Sequence, residues 1–207
     1  MDGDTADLLE LVRIKKDFDC LLYIDEAHAF GMYGAQGLGK AEEFGVVDEV
    51  DLLVSTFGKA GASIGAFVVC ETEIYRYLVN FSRSLIFTTA LPPVVVHWNT
   101  FVLNTIRTVE GKRVRVRALA ERMRHELRSR GLQTAGDTNI VPVFIGHNQR
   151  CVDLAEKLQA QGYFVLPIRP PTVPENTARF RLSLTANMEW DELEALPELI
   201  SSGVNAL

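Results

Sequence analysis

Three short apolar runs set the rhythm of the first half of the chain: "CLLYID" (Cys20–Asp25), "DLLVS" (Asp51–Ser55) and "GAFVVC" (Gly65–Cys70). Each is continuously apolar rather than alternating, the pattern of strands buried on both faces of a mostly parallel sheet. The first ends in an acid, at the end of a strand where such sheets carry chemistry. A helix is predicted before it over 5–16, with Asp4 as N-cap, and another over about 72–82. Pro92-Pro93 then punctuates the chain. A long amphipathic helix is expected after it, broken near Gly111 and ending at Gly131.

Beyond Gly131 the pattern changes. Strand "IVPVFI" (Ile140–Ile145), a helix over 148–161, strands "YFVLPI" (Tyr163–Ile168) and "RFRLSL" (Arg179–Leu184), and a last helix from about Glu189 describe a small α+β unit. The fold class is therefore α/β followed by α+β, with domains predicted at 1–95 and 96–207. About three strands in the first part are too few for a self-sufficient doubly wound sheet, so further strands are expected upstream.

Composition narrows the classes. The 207 residues are 47% hydrophobic and 23% charged, as in ordinary globular proteins. Twenty-one basic residues against 27 acidic ones leave a net charge of −6, which argues against nucleic-acid or anionic-membrane partners. The basic run between Lys112 and Arg130 alternates with apolar residues and reads as a solvated helix face. Three widely spaced cysteines (Cys20, Cys70, Cys151) suggest neither a disulfide framework nor a metal site, and the cytosol is the simplest compartment. "MDGDTADLLE" is acidic and has no apolar core, so it is not read as a signal peptide. The uncharged stretch around Pro92-Pro93 carries His97, two Asn and four Thr and is not read as a membrane span.

Two motifs invite an ATPase reading and fail it. "DEAH" (Asp25–His28) precedes "GAQGLGKA" (Gly34–Ala41), but a phosphate loop needs Ser or Thr after its lysine to hold magnesium, and here Ala41 follows Lys40. The glycines of 31–39 read instead as turn formers at positive φ.

More chemistry resides in "STFGKAGASIGAF" (Ser55–Phe67), a lone lysine among small residues. A desolvated lysine has a lowered pKa, and its neutral amine attacks carbonyls, pyridoxal phosphate among them. That cofactor needs an anion cradle, a carboxylate at its pyridinium nitrogen and a donor near its phenolic oxygen. Thr56, Asp25 and His28 are candidates for the three tasks, with Lys59 the nucleophile. Taken singly, each also has a plain reading: a helix cap, a structural histidine, a turn threonine.

In combination and in this order, "LLYIDEAHAFGMYGAQGLG" and "DLLVSTFGKAGASIGAF" resemble the α-oxoamine synthases, fold-type I pyridoxal-phosphate enzymes that condense an amino acid with an acyl thioester and release carbon dioxide. The resemblance implies the C-terminal part of that fold: a remnant of the large mostly parallel-sheet domain plus the small α+β C-terminal domain. It implies that Asp25 faces the pyridinium, that His28 lies beside the phenolic oxygen, that Thr56 binds the phosphate and that Lys59 forms the Schiff base. "FSRSLIFTTALPP" (Phe81–Pro93) is similar to the segment in which a threonine, here Thr89, reaches the phosphate of a neighbouring subunit, implying a homodimer for the full-length enzyme. "IRPPTVPENTARFRLSLTA" (Ile168–Ala186) is most similar to the branch that joins alanine to a pimeloyl thioester, on CoA or a carrier protein, in biotin synthesis. There the resemblance implies substrate contact at Thr172, Arg169 close by, and Arg181 as the clamp for the amino-acid carboxylate. Asn176 departs from the family's usual Gly and Asn187 from a common His.

The likeness covers this whole chain but only the C-terminal half of a family member, so residues that would stack on the ring are expected upstream. Sibling synthases acting on glycine or serine (glycine C-acetyltransferase, aminolevulinate or serine palmitoyltransferase types) stay open, as does a non-catalytic fragment that serves as an assembly module.

Overall fold

A computed structural model of the chain describes residues 1–205. It divides into two compact units, residues 7–113 and residues 1–6 together with 114–207.

The first unit runs α1 (Leu8–Phe18), β1 (Tyr23–Asp25), α2 (Lys40–Glu43), a 3-10 turn (Val47–Glu49), β2 (Leu52–Thr56), β3 (Ala66–Cys70), α3 (Thr72–Phe81), α4 (Arg83–Ile86) and α5 (Pro93–Thr108). Helix α1 starts later than its sequence pattern suggests, because Asp7 rather than Asp4 is the N-cap, its carboxylate accepting from Glu10 N at 3.0 Å. Strand β1 is likewise shorter than the apolar run that contains it.

The sheet order is β1-β2-β3, with β1 and β2 parallel and β2 and β3 antiparallel. The third apolar run, read from the sequence as another parallel strand, is antiparallel for a steric reason, and the sheet is mixed. Residues 57–65 are all that join β2 to β3, and a parallel crossover needs about a dozen or more. Nor is β3 buried on both faces, since Val68 and Val69 are exposed. The core of this unit lies under the other strands, where Leu8 and Val12 of α1 pack on Leu22, Ile24 and Leu53 together with Ala41 and Val46.

Asp51 ties α1 to this layer. Its Oδ2 accepts from Leu22 N at 2.7 Å and pairs with Lys15 Nζ at 2.7 Å. The Leu22 amide first, and the Lys15 ammonium second, hold its carboxyl below the ordinary carboxylate value. A carboxyl depressed on folding stabilises above its unfolded pKa of about 4, and that contribution is lost as pH falls through the lower folded value. Asp51→Asn is therefore expected to be less stable than the natural chain at pH 6, with the gap closing below about pH 4. Urea denaturation at the two pH values measures this; a gap that stays constant would contradict it.

Helix α6 (Glu110–Ser129) carries the boundary between the units. The break or kink predicted near Gly111 falls at Val109, and Gly111 sits inside the first turn of α6. The second unit continues with β4 (Ile140–Gly146), α7 (Asn148–Ala160), β5 (Pro167–Ile168), β6 (Ala178–Ser183), α8 (Trp190–Leu193) and α9 (Leu196–Asn205). Its antiparallel sheet has the order β4-β6-β5. Val116, Ala120, Met123 and Leu127 form the buried stripe of α6, at helical spacing. The strand expected over 163–168 shrinks to Pro167–Ile168, and the Val165 carbonyl accepts from the Gln159 side chain at 2.7 Å instead of from a neighbouring strand.

Candidate functional site

Four of the sequence candidates lie at one edge of the first sheet. Asp25 ends β1, Thr56 ends β2, and these strands are parallel neighbours with Asp25 opposite Val54. His28 follows β1 by three residues and Lys59 follows β2 by three. The C-terminal edge of a parallel pair is where ligands meet such sheets, because backbone direction and loops converge there.

The loop carrying Lys59 is shaped by small residues and held by α5. A Cβ on Gly61 would come within 2.8 Å of the Phe57 backbone, so only glycine fits. Trp98 Nε1 donates to Ala62 O at 3.2 Å and Asn99 Nδ2 donates to Ile64 O at 3.3 Å. Phe57 anchors the start of the loop in a cluster with Phe30, Val102 and Ile106, its ring edge-on to Phe30 at 5.9 Å. Lys59 itself is exposed, and among the described residues its ammonium has no ion-pair partner. The apolar burial expected for it from its small neighbours is absent from this chain.

Asp25 and His28 are also exposed. Asp25 Oδ1 accepts from Ala27 N at 2.7 Å, which leaves its second oxygen available to a ligand. The Thr56 hydroxyl donates to Gly65 O at 3.0 Å and accepts from Gly58 N at 3.0 Å. To serve a phosphate, its hydrogen must turn from the Gly65 carbonyl to the anion. An available carboxylate oxygen, an unpaired amine and a hydroxyl among closely approaching backbone suit pyridoxal phosphate chemically. The glycines at 31, 34, 37 and 39 have φ of 80°, 82°, 79° and 121°, as turn formers require, and residues 26–33 separate β1 from Gly34, whereas a phosphate loop follows its strand directly.

The remaining candidates are placed separately. Thr89 is exposed in the segment between α4 and α5. In the second unit, Arg169 and Thr172 close one exposed turn, with Thr172 N donating to Arg169 O at 3.0 Å. Asn176, the residue at a position of usual glycine, has φ 59°, a conformation Asn tolerates better than most residues. The two arginines of "RFRLSL" differ sharply. Arg179 is buried, paired with Asp2, bonded to Thr177 O and Oγ1 at 2.9 Å each, and lies 4.4 Å over the Phe144 ring. Arg181 is half-buried, and its Nε is enclosed without a hydrogen-bond partner. It lines a cavity of about 540 Å³ with Tyr163, Val165, Leu184 and Met188. A buried donor without a partner is costly, and of the two arginines of this strand only Arg181 carries one, as does Arg113 elsewhere.

Sequence reasoning missed Glu26, Trp98 and Asn99. Glu26 was legible, because period-two alternation puts it on the buried face with Leu22 and Ile24, where a carboxylate demands partners. Trp98 and Asn99 carried no local signal. Cys151 is no rival nucleophile: burial pushes its thiol up to about 11, against a smaller opposing effect of Arg169. No cluster of three potential metal ligands occurs among the described residues, and none of their helices is long and apolar enough to cross a membrane.

Residues 1–200 match the family model of aminotransferase class I and II. The chain is 48% identical over 201 residues to the 8-amino-7-oxononanoate synthase of Haemophilus ducreyi, covering 95% of this chain and 52% of that relative. It is 45% identical over 202 residues to the synthase of the same name from Chlorobaculum parvum, covering 98% and 52%. Among solved structures, Sphingomonas wittichii serine palmitoyltransferase superposes with a TM-score of 0.92 at 30% identity, covering all of this chain and 52% of that one. The 8-amino-7-oxononanoate synthase of Francisella tularensis gives 0.89 at 27% identity, covering all of this chain and 60% of that one. The chain thus spans about half the length of the curated relatives it matches.

Proposed function

The chain belongs to the aminotransferase class I and II family, and from that premise we propose that it is the C-terminal, cofactor-bearing part of a pyridoxal-phosphate acyltransferase that joins alanine to a pimeloyl thioester with loss of carbon dioxide, in biotin synthesis. The observation that carries this reading is the placement of Asp25 and Thr56 at the ends of adjacent parallel strands, each followed within three residues by His28 or Lys59. The near-50% identity to relatives named for that synthase favours it over the serine palmitoyltransferase likeness, which is structural and stands at 30%.

When bound, pyridoxal 5'-phosphate supplies an electron sink for charge developing at the amino-acid α-carbon. Asp25 would offer its second carboxylate oxygen to the ring nitrogen. Thr56 and the loop amides would hold the phosphate. Lys59 Nζ would be the point of attachment for the cofactor and the base available to a proton on the amino-acid α-carbon. His28 donates beside the phenolic oxygen. Arg181 would receive the amino-acid carboxylate on its guanidinium, and Thr172 and Arg169 would contact substrate nearby. Thr89 extends to the phosphate of a second subunit in a homodimer. The reaction is assigned to the cytoplasm.

The test is turnover of alanine with pimeloyl-CoA against glycine with acetyl-CoA and serine with palmitoyl-CoA, followed by thiol release. It is run on the 207-residue chain alone and mixed with the half of the Haemophilus ducreyi relative that this chain does not match. Alanine with pimeloyl-CoA is expected to win; preference for glycine or serine would transfer the chain to a sibling activity. Arg181→Lys keeps the charge but loses the fork. It is expected to raise KM for alanine on the order of 10-fold, as for one lost charge-assisted hydrogen bond, with kcat little changed. Steady-state kinetics over alanine concentration measure it, and an unchanged KM would remove Arg181 from the substrate site.

A second reading, a non-catalytic module that assembles with another polypeptide, is favoured by the exposed apolar side chains of Phe81, Phe87, Val94 and Phe101. Cofactor attachment at Lys59 without turnover, alone or in the mixture, is the result that would select it.

A further inference from the structure

Glu26 stands next to Asp25, yet pleating sends its side chain to the opposite, buried face, where it is 2% exposed. It is therefore no ligand of the cofactor itself. A carboxylate so placed needs partners, and it finds them fifteen residues on, in the backbone that closes the following loop. Its Oε1 accepts from Ala41 N at 2.6 Å and its Oε2 from Lys40 N at 3.0 Å. Gly39 makes this approach possible, since a Cβ there would lie 2.7 Å from the Glu26 carboxyl carbon. The Glu26 backbone is equally engaged. Its N–H donates to Val54 O at 2.7 Å on β2, and its carbonyl accepts from Ala29 N at 2.9 Å and Phe30 N at 2.7 Å.

One residue thus joins β1, β2, the start of the loop and its end. The same loop supplies Ala27 N–H, on which the Asp25 carboxylate rests, and contains His28. Glu42 ties the loop's far part, accepting from Gln36 N and Leu38 N at 2.9 Å each. We propose that Glu26 is a positioning residue of the cofactor site, closing the 27–41 loop so that Asp25 and His28 keep the orientation the ring requires. This rests on the reading that those two side chains face pyridoxal phosphate.

The measurement uses the 207-residue chain, titrated with pyridoxal 5'-phosphate and reduced with borohydride. Label on the Lys59 peptide is quantified by mass spectrometry, alongside the visible circular dichroism per bound cofactor and the melting temperature. Glu26→Gln keeps size and one acceptor oxygen but loses the second. It is expected to need on the order of ten-fold more cofactor for half-labelling, the usual cost of removing a support behind a ligating group. It is also expected to alter the circular dichroism per bound cofactor, because the ring is held differently. A purely structural role would lower the melting temperature and leave that signature unchanged. Equal half-labelling and equal dichroism in Glu26→Gln overturn the proposal, whatever the melting temperature does. Should Glu26→Gln not fold, Gly39→Ala, which sets a methyl against the same carboxylate, is read by the same criteria. Absence of label at Lys59 in the natural chain overturns the functional reading and this proposal together; label there with no effect of either variant overturns this proposal alone.

Discussion

Replacing Lys59 with alanine is expected to abolish the borohydride-stable pyridoxyl label on the 57–65 loop and to leave folding intact. Lys59 is exposed and forms no ion pair among the described residues, so its loss should change stability by no more than about 0.5 kcal/mol. The loop keeps its shape from Gly61, Phe57 and the Trp98 and Asn99 hydrogen bonds, none of which involves the lysine side chain. Any turnover should fall by roughly 10²–10⁴-fold from the lost proton transfer alone. Peptide mapping after reduction, paired with a melting curve, separates the two effects. A label that persists on another lysine in Lys59→Ala, at the natural level, would take the attachment role away from Lys59.

Phe180→Ala is the substitution with the largest expected cost in stability. Phe180 is fully buried at the middle of β6, the central strand of its sheet, opposite Val143 on one side and Pro167 on the other. Ala178 and Leu182 share its face, and both are buried. Truncating such a ring removes its transfer free energy and leaves a cavity that a sheet held by two neighbours cannot close, a loss of about 3–5 kcal/mol. That is a large part of the ~5–15 kcal/mol that holds a typical domain together. Urea denaturation followed by circular dichroism measures it. A loss below about 1 kcal/mol would mean that β6 does not lie in this register, since an Ile→Val-sized effect is incompatible with a buried phenyl ring.

The adjacent Arg181 shows how the same strand serves two ends. Alternation along "RFRLSL" sends Phe180 and Leu182 into the core and Arg179 and Arg181 to the other face. The sequence alone supports that division. Alternation does not tell the two arginines apart, because both are long cations two residues apart on one face; the family resemblance is what singles out Arg181. Tertiary packing separates them: Asp2, Thr177 and the Phe144 ring consume Arg179, while Arg181 keeps an enclosed Nε without a partner.

Much of the remaining candidate site could be proposed from the sequence for local reasons. An apolar run ending in Asp25, a second ending near Thr56, and a lysine among residues too small to crowd it follow from the chemistry a carbonyl cofactor requires. The glycines of 31–39 could be read as turns because only glycine accepts those φ values without strain. Helix ends were less legible: α1 begins at Leu8 because the carboxylate of Asp7, and not that of Asp4, caps a free amide of the first turn.

What the residues by themselves determined was the order of elements, the alternating faces of each strand, and the types of group gathered at the strand ends. These depend on backbone period and side-chain chemistry, which are properties of neighbours in the chain. Only the tertiary structure decided that Trp98 and Asn99 of α5 hold the lysine loop and that Glu26 closes a loop fifteen residues long. Each of these is a contact between segments distant in sequence, satisfied through backbone N–H and C=O groups that every residue carries alike. Such groups leave no mark on residue identity, so nothing short of the folded chain could reveal their partners.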